Sequence, residues 1–464
     1  MLAAFLRATR SRTGPGTLWI ANRVDVLGLA AVALTAVAFF AWTAHTYFLS
    51  DDFILLVQAH APWSWRGILA TRGGDGSFRP AGILSYVISA KWAGSDPAAW
   101  HWIGFVLHAA TALLVYALTA ALGFSRFAAW LGATVFALHG SHPEAVVWIA
   151  GRFDLLSTLF FLAAAVTFVL SWRAGGGRRM LYECAAVVSM AVAMLTKESA
   201  YSFPLVAALL VACFSGVRDR RAWRLVAVLF GVTLMLFAYR WSLLGGIGGY
   251  GGVSFAPSLK ALALRMWAVL FFPVNWAIRP GAALIAVAVA YVAGLARLFM
   301  VRAEISKLAF AAGFALMTAA PALSQLLIGL DLEKARVLYL PSVGLCLLVA
   351  ALCERLQARD RMVVAAALVL FHGMVLWHNL RGWERASEVV QAACAAAARC
   401  ANGSGHPVVV TGLPRTLDGV YTFANGFQEC VAMQGGGIPN AKAADGGECR
   451  FVWDKDKQAL RGVQ

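Results

Sequence analysis

LLSTLFFLAAAVTFVLSW (155–172) decides the fold class, because it runs for eighteen residues without a charge between Asp154 and Arg173. A helix that spans a bilayer needs about 20 mostly apolar residues. Similar stretches recur along the whole chain of 464 residues, which is 61% apolar and 13% charged. Soluble domains carry about 25% charged residues. The sequence therefore predicts an α-helical polytopic membrane protein and excludes a disordered chain.

About eleven such spans are predicted. A protein of this kind belongs to one of two functional classes, transporters or intramembrane enzymes. The segment 259–276 is predicted either to lie at the membrane interface or to form an additional span. The predicted spans are 24–47, 98–121, 127–148, 155–172, 181–196, 200–216, 225–244, 282–297, 308–328, 338–353 and 362–379.

The distribution of charge predicts the orientation. If the N-terminus is cytoplasmic, the cytoplasmic loops and adjoining helix ends hold eighteen basic and six acidic residues. The outer loops before residue 381 hold twelve basic and nine acidic residues. This imbalance follows the preference of Lys and Arg for cytoplasmic loops. The net charge of +16 is therefore expected of a membrane protein, and no nucleic-acid partner is predicted.

Two domains are predicted: a transmembrane domain over residues 1–380 and a small extracytoplasmic α/β domain over residues 381–464. The second domain contains the strand-like PVVVTGL (407–413) and FVW (451–453) with turn signals between them. Four of the eight cysteines lie in it. An even set outside the cytoplasm predicts two disulfides, with three connectivities open and four unpaired thiols as the alternative. The four cysteines of this domain are Cys394, Cys400, Cys430 and Cys449.

Charged and polar side chains concentrate at the outer ends of the spans. Ionisable groups at membrane depth are costly and usually functional, so we predict a polar cavity that opens outward. Lys197 and Arg336 can hold an anionic group, since Arg offers a bidentate fork to phosphate and Lys a point charge. Pairing of the two cations with Glu198 and Glu333 is the alternative. Further substrate-binding candidates are Arg79, His142, Glu144, Arg152, Asp154 and Glu198.

The pair Asp51-Asp52 directly follows the first span. One carboxylate can act as a general base while the other orients it or binds a substrate hydroxyl. The alternative is that both cap the helix that follows. We favour Asp52 slightly as the base, because Asp51 is expected to be the better placed for capping.

The motif His139-x-x-His142-x-Glu144 has side chains that can bind zinc. Pro143 interrupts the helix that would place them on one face, so hydrogen bonding at the membrane edge is the favoured interpretation. We assign no metal ligand, predict no required cofactor and leave metal dependence open.

Several blocks resemble the transmembrane O-mannosyltransferases that carry tetratricopeptide repeats. HGSHPEAVVWIAGRFDLLSTLFFL (139–162) resembles their His-Pro-x-x-x-Glu-Ala-Val and Gly-Arg-x-(Asp/Glu)-Leu-Leu stretch, and LTKESAY (195–201) their Lys-Glu segment. RVLYLPSVGLCLL (336–348), which includes Tyr339, resembles their Arg-x-Leu-Tyr-Leu-Pro-Ser-Val-Gly block. SDDF (50–53) and FRP (78–80) match their first outer loop. No tetratricopeptide repeats follow, and the short loops are more similar to bacterial members.

The resemblance implies a GT-C glycosyltransferase whose catalytic carboxylate lies in the first outer loop. It implies a polyprenyl-phosphate-linked sugar as the donor, inversion at the anomeric carbon, and a site in a bacterial inner membrane that faces outward. Tyr339 joins the substrate-binding candidates on this basis. Lipid, glycan and protein hydroxyls all remain open as acceptors, and membrane lipids are expected partners.

A transporter or flippase of lipid-linked sugars is the main rival interpretation, because it also places charges in a membrane cavity. Such proteins often show internal repeats and broken helices in matching halves, and neither is evident here. A polysaccharide polymerase or ligase shares the compartment and the lipid substrate, and only the block resemblance argues against it.

Overall fold

The computed structural model describes residues 23–70, 76–216, 219–248, 259–404, 408–435 and 449–463. Long apolar helices dominate it, as the hydropathy predicts. The longer helices are α1 (Arg23–Ala41), α5 (Pro97–Ala121), α8 (Arg152–Arg173), α9 (Gly176–Met194), α11 (Arg220–Leu244), α13 (Ala282–Phe299), α14 (Ile305–Ala319) and α16 (Ala358–Ser404).

Shorter helices fill the connections between the long ones. The first outer loop, residues 48–97, folds into three of them. The shorter α-helices are α2 (Asp51–His60), α3 (Trp65–Leu69), α4 (Pro80–Ala93), α6 (Arg126–Ala137), α7 (Pro143–Val146), α10 (Phe203–Leu210), α12 (Met266–Phe271), α15 (Ser342–Cys353) and α17 (Phe427–Gly435). Helical turns of 3-10 or π type lie at Trp42–His45, Ile149–Gly151, Glu198–Ser202, Val211–Ser215, Ala261–Arg265, Ala320–Gln325 and Ala335–Leu338.

The prediction of a polytopic helical membrane protein is confirmed. Within the described residues, eight helical segments are long and apolar enough to cross a bilayer. The other three predicted spans correspond to helices that are shorter or more polar, namely α6, α9 and α15. Within the segment 259–276 the described helix ends at Phe271, so the segment is not helical over its whole length.

The C-terminal part combines strands and a helix, as predicted. Strand β1 (Val408–Thr411) pairs in parallel with β4 (Cys449–Asp454), which pairs antiparallel with β5 (Ala459–Val463). A small hairpin joins β2 (Thr416–Leu417) to β3 (Val420–Tyr421). Helix α16 runs unbroken through the proposed boundary between residues 380 and 381, so this one helix links the membrane-spanning part to the α/β part.

A disulfide between Cys394 and Cys430 joins α16 to α17. Cys400 is disulfide-bonded as well. The side chain of Cys449 lies outside the described residues, so its predicted part in a second disulfide stays a prediction. The Cys394–Cys430 bond fixes α17 to the C-terminal part of the long helix α16. Cys430 lies only a few residues after Gly426, which contacts Ser50 of the first outer loop.

Candidate functional site

The site is built around the turn between α6 and α8. Pro143 starts the short helix α7, where its missing N–H costs nothing because the first N–H groups of a helix have no partner within it. The chain then folds back so closely that a Cβ at Gly151 would lie 2.3 Å from the carbonyl oxygen of Glu144. Glycine is therefore required at this close approach. The fold of this turn brings Glu144, Trp148 and Arg152 to one end of the helical bundle.

Asp51 and Asp52 have opposite environments. Asp52 is 1% exposed, and its carboxylate accepts hydrogen bonds from the N–H groups of Leu49 (3.0 Å) and Ala150 (2.7 Å). Burial raises the pKa of Asp52 to about 8, against the opposing effect of these N–H donors. Asp51 is half-buried and accepts a hydrogen bond of 2.7 Å from the side chain of Asn425. The expected capping of the following helix by Asp51 is not observed: its carboxylate engages Asn425, and the N–H groups bound by Asp52 belong to Leu49 and Ala150, outside that helix.

Lys197, Asp154, Arg336 and Glu144 form one continuous ionic network. Lys197 bonds to Asp154 through a short contact of Nζ with Oδ2, and Arg336 Nε lies 3.9 Å from the same oxygen. Arg336 also pairs with Glu144, and the Arg336 backbone N–H donates to Glu144 Oε2 at 3.0 Å. The predicted proximity of Lys197 and Arg336 is therefore observed. Their carboxylate partners are Asp154 and Glu144, and not Glu198 and Glu333 as in the alternative interpretation.

A second ionic cluster lies beside the first. Arg79 donates two hydrogen bonds of 3.1 and 2.9 Å to Glu198 Oε2. Arg240, at the end of α11, reaches the other oxygen of Glu198 at 3.6 Å. The two clusters together hold four cations and three carboxylates. This excess of positive charge, in side chains that are mostly shielded from water, favours an anionic ligand.

Arg152 lies in an aromatic setting. Its guanidinium lies 4.9 Å from the ring centres of both Tyr86 and Trp100, and it donates a 2.8 Å hydrogen bond to Ser89 Oγ. Contact with two aromatic faces stabilises a cation away from water. Arg152 is 3% exposed, so its position is that of a structural element behind the site.

His142 and Tyr339 each contact another buried side chain. His142 Nε2 lies 2.9 Å from Ser342 Oγ, and Tyr339 Oη lies 2.7 Å from His108 Nδ1. Both side chains are inaccessible to solvent. The structure therefore places both side chains in the protein core, and their contact with substrate stays a prediction. His139 contacts Ser141 and the carbonyl of Leu270, and no group of three potential metal ligands is found among the described residues.

Four residues of the site were missing from the sequence-based set. The Trp148 indole N–H donates to the carbonyl of Leu49 at 3.1 Å, while the Arg336 guanidinium lies 4.9 Å from the Trp148 ring. Trp148 therefore contacts both Leu49 of the first outer loop and Arg336 of the ionic network. Tyr421 stacks on Trp148 at 5.1 Å. Arg240 and Asn425 complete the set. Arg240 shows a signal in the sequence, an arginine near the outer end of a span, whereas Tyr421 and Asn425 show none.

Comparison with solved structures identifies the fold class. The archaeal oligosaccharyltransferase AglB from Archaeoglobus fulgidus aligns with a TM-score of 0.51 and 13% identity, over 90% of this chain and 64% of AglB. The chain has the GT-C fold. At this level of identity the alignment establishes the architecture and leaves the substrates open.

Comparison of sequences confirms the resemblance to O-mannosyltransferases. Protein O-mannosyl-transferase Tmtc2 of Drosophila melanogaster is 30% identical over 196 residues, which cover 39% of this chain and 21% of that protein. Tmtc1 of the same organism is 28% identical over 156 residues, 31% of this chain and 18% of that protein. The chain thus spans about a fifth of the length of these relatives. No family model matches the chain.

Proposed function

We propose that this GT-C protein is an integral-membrane glycosyltransferase that moves a sugar from a polyprenyl-phosphate donor to a hydroxyl acceptor. The observation that carries the proposal is the network in which Asp154 and Glu144 hold Lys197 and Arg336 beside the first outer loop. The relatives named as mannosyl-transferases support sugar transfer. The AglB structure holds a dolichol-phosphate, a lipid phosphate of the proposed donor class.

The donor phosphate is proposed to bind Lys197 and Arg336. Arg336 can turn a forked guanidinium toward phosphate oxygens, and Lys197 adds a point charge. Asp154 and Glu144 neutralise the two cations while no donor is bound. A phosphate that enters takes over part of these contacts. Arg79 and Arg240, which share Glu198, add to the positive potential around the leaving group.

The reaction is proposed as one direct displacement. The acceptor oxygen forms a bond to the anomeric carbon while the bond from that carbon to the phosphate oxygen breaks. The acceptor proton passes to a carboxylate, and the polyprenyl phosphate leaves with its charge stabilised by Lys197 and Arg336. Attack from the side opposite the phosphate inverts the anomeric centre, without a covalent intermediate on the protein.

We assign the general base to Asp51 and a positioning role to Asp52, in place of the order favoured by the sequence. Asp51 is the more exposed of the two, and a base must come within hydrogen-bonding reach of the acceptor hydroxyl. Asp52 has both oxygens engaged by the N–H groups of Leu49 and Ala150. It thereby joins α2 to the turn that carries Trp148.

The proposed orientation places the site on the extracytoplasmic face of a bacterial inner membrane. The basic residues of the opposite loops support this orientation. Single cysteines replace Arg220 or Gly446 in a background without the native cysteines. In intact cells, an impermeant reagent is expected to label the cysteine at 446 and not the one at 220. Labelling at 220 but not at 446 contradicts the orientation.

The function is tested with the purified full chain and three donor classes. These are polyprenyl-monophosphate sugars, a polyprenyl-pyrophosphate oligosaccharide and a nucleotide sugar. We expect release of polyprenyl phosphate from a monophosphate donor, and a transferred sugar of inverted configuration by NMR. Use of the pyrophosphate donor alone favours a polymerase or ligase. Movement of intact lipid-linked sugar across vesicles, without cleavage of any donor, favours a flippase and contradicts the proposal.

A further inference from the structure

The segment Gly419–Gly426 of the C-terminal part packs directly against the loops that carry the site. A Cβ at Gly419 would lie 1.9 Å from the carbonyl oxygen of Asp331, and a Cβ at Gly426 would lie 2.4 Å from that of Ser50. Both glycines also have positive φ, 81° and 78°, a conformation that other residues rarely adopt. The two ends of the segment are therefore suited to backbone contact with two separate loops of the membrane-spanning part.

At the Gly426 end, hydrogen bonds join the segment to the first outer loop. The Asn425 side-chain amide donates to Asp51 Oδ1 at 2.7 Å, and the Asn425 backbone N–H donates to Ser50 Oγ at 3.3 Å. The Ser50 N–H donates in turn to the carbonyl of Thr422 at 3.1 Å. The carboxylate that we assign as the general base is thus held by a residue 374 positions away in the chain.

The middle of the segment contacts the phosphate side of the site. Tyr421 stacks on Trp148, and the Arg336 guanidinium lies 5.6 Å from the Tyr421 ring. The Tyr421 hydroxyl donates to Glu333 Oε1 at 2.9 Å, which holds the ring in place. One short segment therefore contacts both Asp51 and Arg336.

Contacts within the C-terminal part also restrain the segment Gly419–Gly426. The Thr422 N–H donates to the carbonyl of Arg415 at 3.0 Å, and the Thr422 hydroxyl donates to that of Pro414 at 2.7 Å. The disulfide between Cys394 and Cys430 then fixes the start of α17 to α16. A segment restrained in this way can hold a side-chain amide at a defined place, which precise orientation of a reacting group requires.

We propose that the C-terminal part completes the active site, and that Asn425 is a positioning residue for Asp51. This inference rests on the proposed function, because it presumes that Asp51 is the base. The Asn425 amide engages Oδ1 and so orients the carboxylate with Oδ2 toward the acceptor hydroxyl. Loss of the amide leaves the charge of Asp51 in place but frees its rotation. A misplaced catalytic group can lower the rate about 10²-fold.

The test compares turnover per folded molecule and donor affinity in variants of the full chain. Binding is measured with polyprenyl phosphate alone, and turnover with the donor that the wild-type protein consumes. Asn425→Ala is expected to lower kcat by about 10–100-fold and to leave the affinity for polyprenyl phosphate within about twofold. Asn425→Asp, which places a carboxylate against Asp51, is expected to lower kcat at least as much.

A matched pair of glycines separates position from general stability. Gly426→Ala forces the segment away from Ser50 and is expected to lower kcat as Asn425→Ala does. Gly412 has a similar positive φ of 76°, but a Cβ there would meet nothing nearer than 3.8 Å. Gly412→Ala therefore carries the same backbone strain without the collision, and its kcat is expected to stay near that of the wild type.

A double variant distinguishes positioning of the base from a structural role. If Asn425 acts through Asp51, then Asn425→Ala is expected to cause no further loss in the Asp51→Asn background. A further loss of the same size in that background overturns the inference. Wild-type turnover of Asn425→Ala, together with loss of activity in Asp51→Asn, also overturns the inference. That result leaves the proposed function intact. If the wild-type chain transfers sugar from no donor class, the proposed function itself fails and the inference fails with it.

Discussion

The two ends of the helical bundle both carry ion pairs, but the pairs differ in kind. At the site end, Asp154 is shared by Lys197 and Arg336, and these side chains are between 8% and 15% exposed. At the other end, Arg297 pairs with Asp360, whose side chains are 46% and 35% exposed, while Lys307 pairs with Glu354, whose side chains are 13% and 14% exposed. Exposed pairs contribute about 0–1 kcal/mol, whereas charges that are largely removed from water carry a desolvation cost. What distinguishes the site end is its balance of charge: two cations share the carboxylate of Asp154, whereas Lys307 lies between the carboxylates of Glu304 and Glu354.

The largest effect is expected when the proposed base is removed from the site end. Asp51→Asn keeps the size of the side chain but loses the base, and general-base help is typically worth about 10²–10⁴-fold in rate. Asp52→Asn, the matched change at the adjacent buried position, is expected to lower the yield of folded protein more than the turnover per folded molecule. Turnover normalised to folded protein checks both. The reverse ranking restores Asp52 as the base.

The next largest effect is expected in donor binding. Arg336→Ala removes the fork and leaves Glu144 buried without its partner, so affinity for polyprenyl phosphate is expected to fall by about 10–100-fold, as for the loss of charge-assisted hydrogen bonds. Arg336→Lys keeps the charge and is expected to fall between the wild type and Arg336→Ala. Titration with the labelled lipid measures this series. Equal affinities across the series reject the role of Arg336.

A pH-dependent effect on stability is expected from Asp52. Its pKa is about 8 in the folded protein and close to 4 in an unfolded chain. The folded state therefore retains a proton that the unfolded state loses, so this contribution to stability is complete below about pH 4 and is lost as the pH rises through about 8. Unfolding of the detergent-solubilised protein is expected to become easier from pH 5 to pH 9. Asp52→Asn is expected to flatten that slope, and an unchanged slope speaks against the protonated carboxyl.

The smallest effect is expected at the other end of the bundle. Arg297→Ala breaks the exposed pair with Asp360, which is expected to change the free energy of unfolding by less than about 1 kcal/mol and to leave turnover unchanged. Thermal unfolding and the transfer assay measure the two quantities. A loss of turnover similar to that of Arg336→Ala removes the distinction between the two ends.

Hydropathy was enough to predict the membrane helices, because each span must satisfy its own backbone and be apolar over about 20 residues. It also predicted that Lys197, Asp154 and Arg336 lie at the same depth relative to the membrane, since each lies near the outer end of a predicted span. The three shorter or more polar helices, α6, α9 and α15, show its limit. Packing against neighbours stabilises helices that fall below the criteria for an independent span.

The contacts within the site were not predictable from the sequence. Asp51 and Asp52 are adjacent, and their different burial depends on Ala150 and Asn425, which lie far away in the chain. The sequence suggested Glu198 as the partner of Lys197 because the two are neighbours, but Asp154 from α8 takes that position. Neither choice follows from spacing along one chain segment, because each is decided by how separate helices meet.

The central claim is that the ionic network at the site end holds the phosphate of a lipid-linked donor. A cryo-electron microscopy structure of the full chain with bound polyprenyl phosphate tests it most directly. We expect the phosphate within hydrogen-bonding distance of both Lys197 and Arg336, on the opposite side of Trp148 from Leu49. A phosphate bound away from these two residues, for example beside Arg297, contradicts the claim.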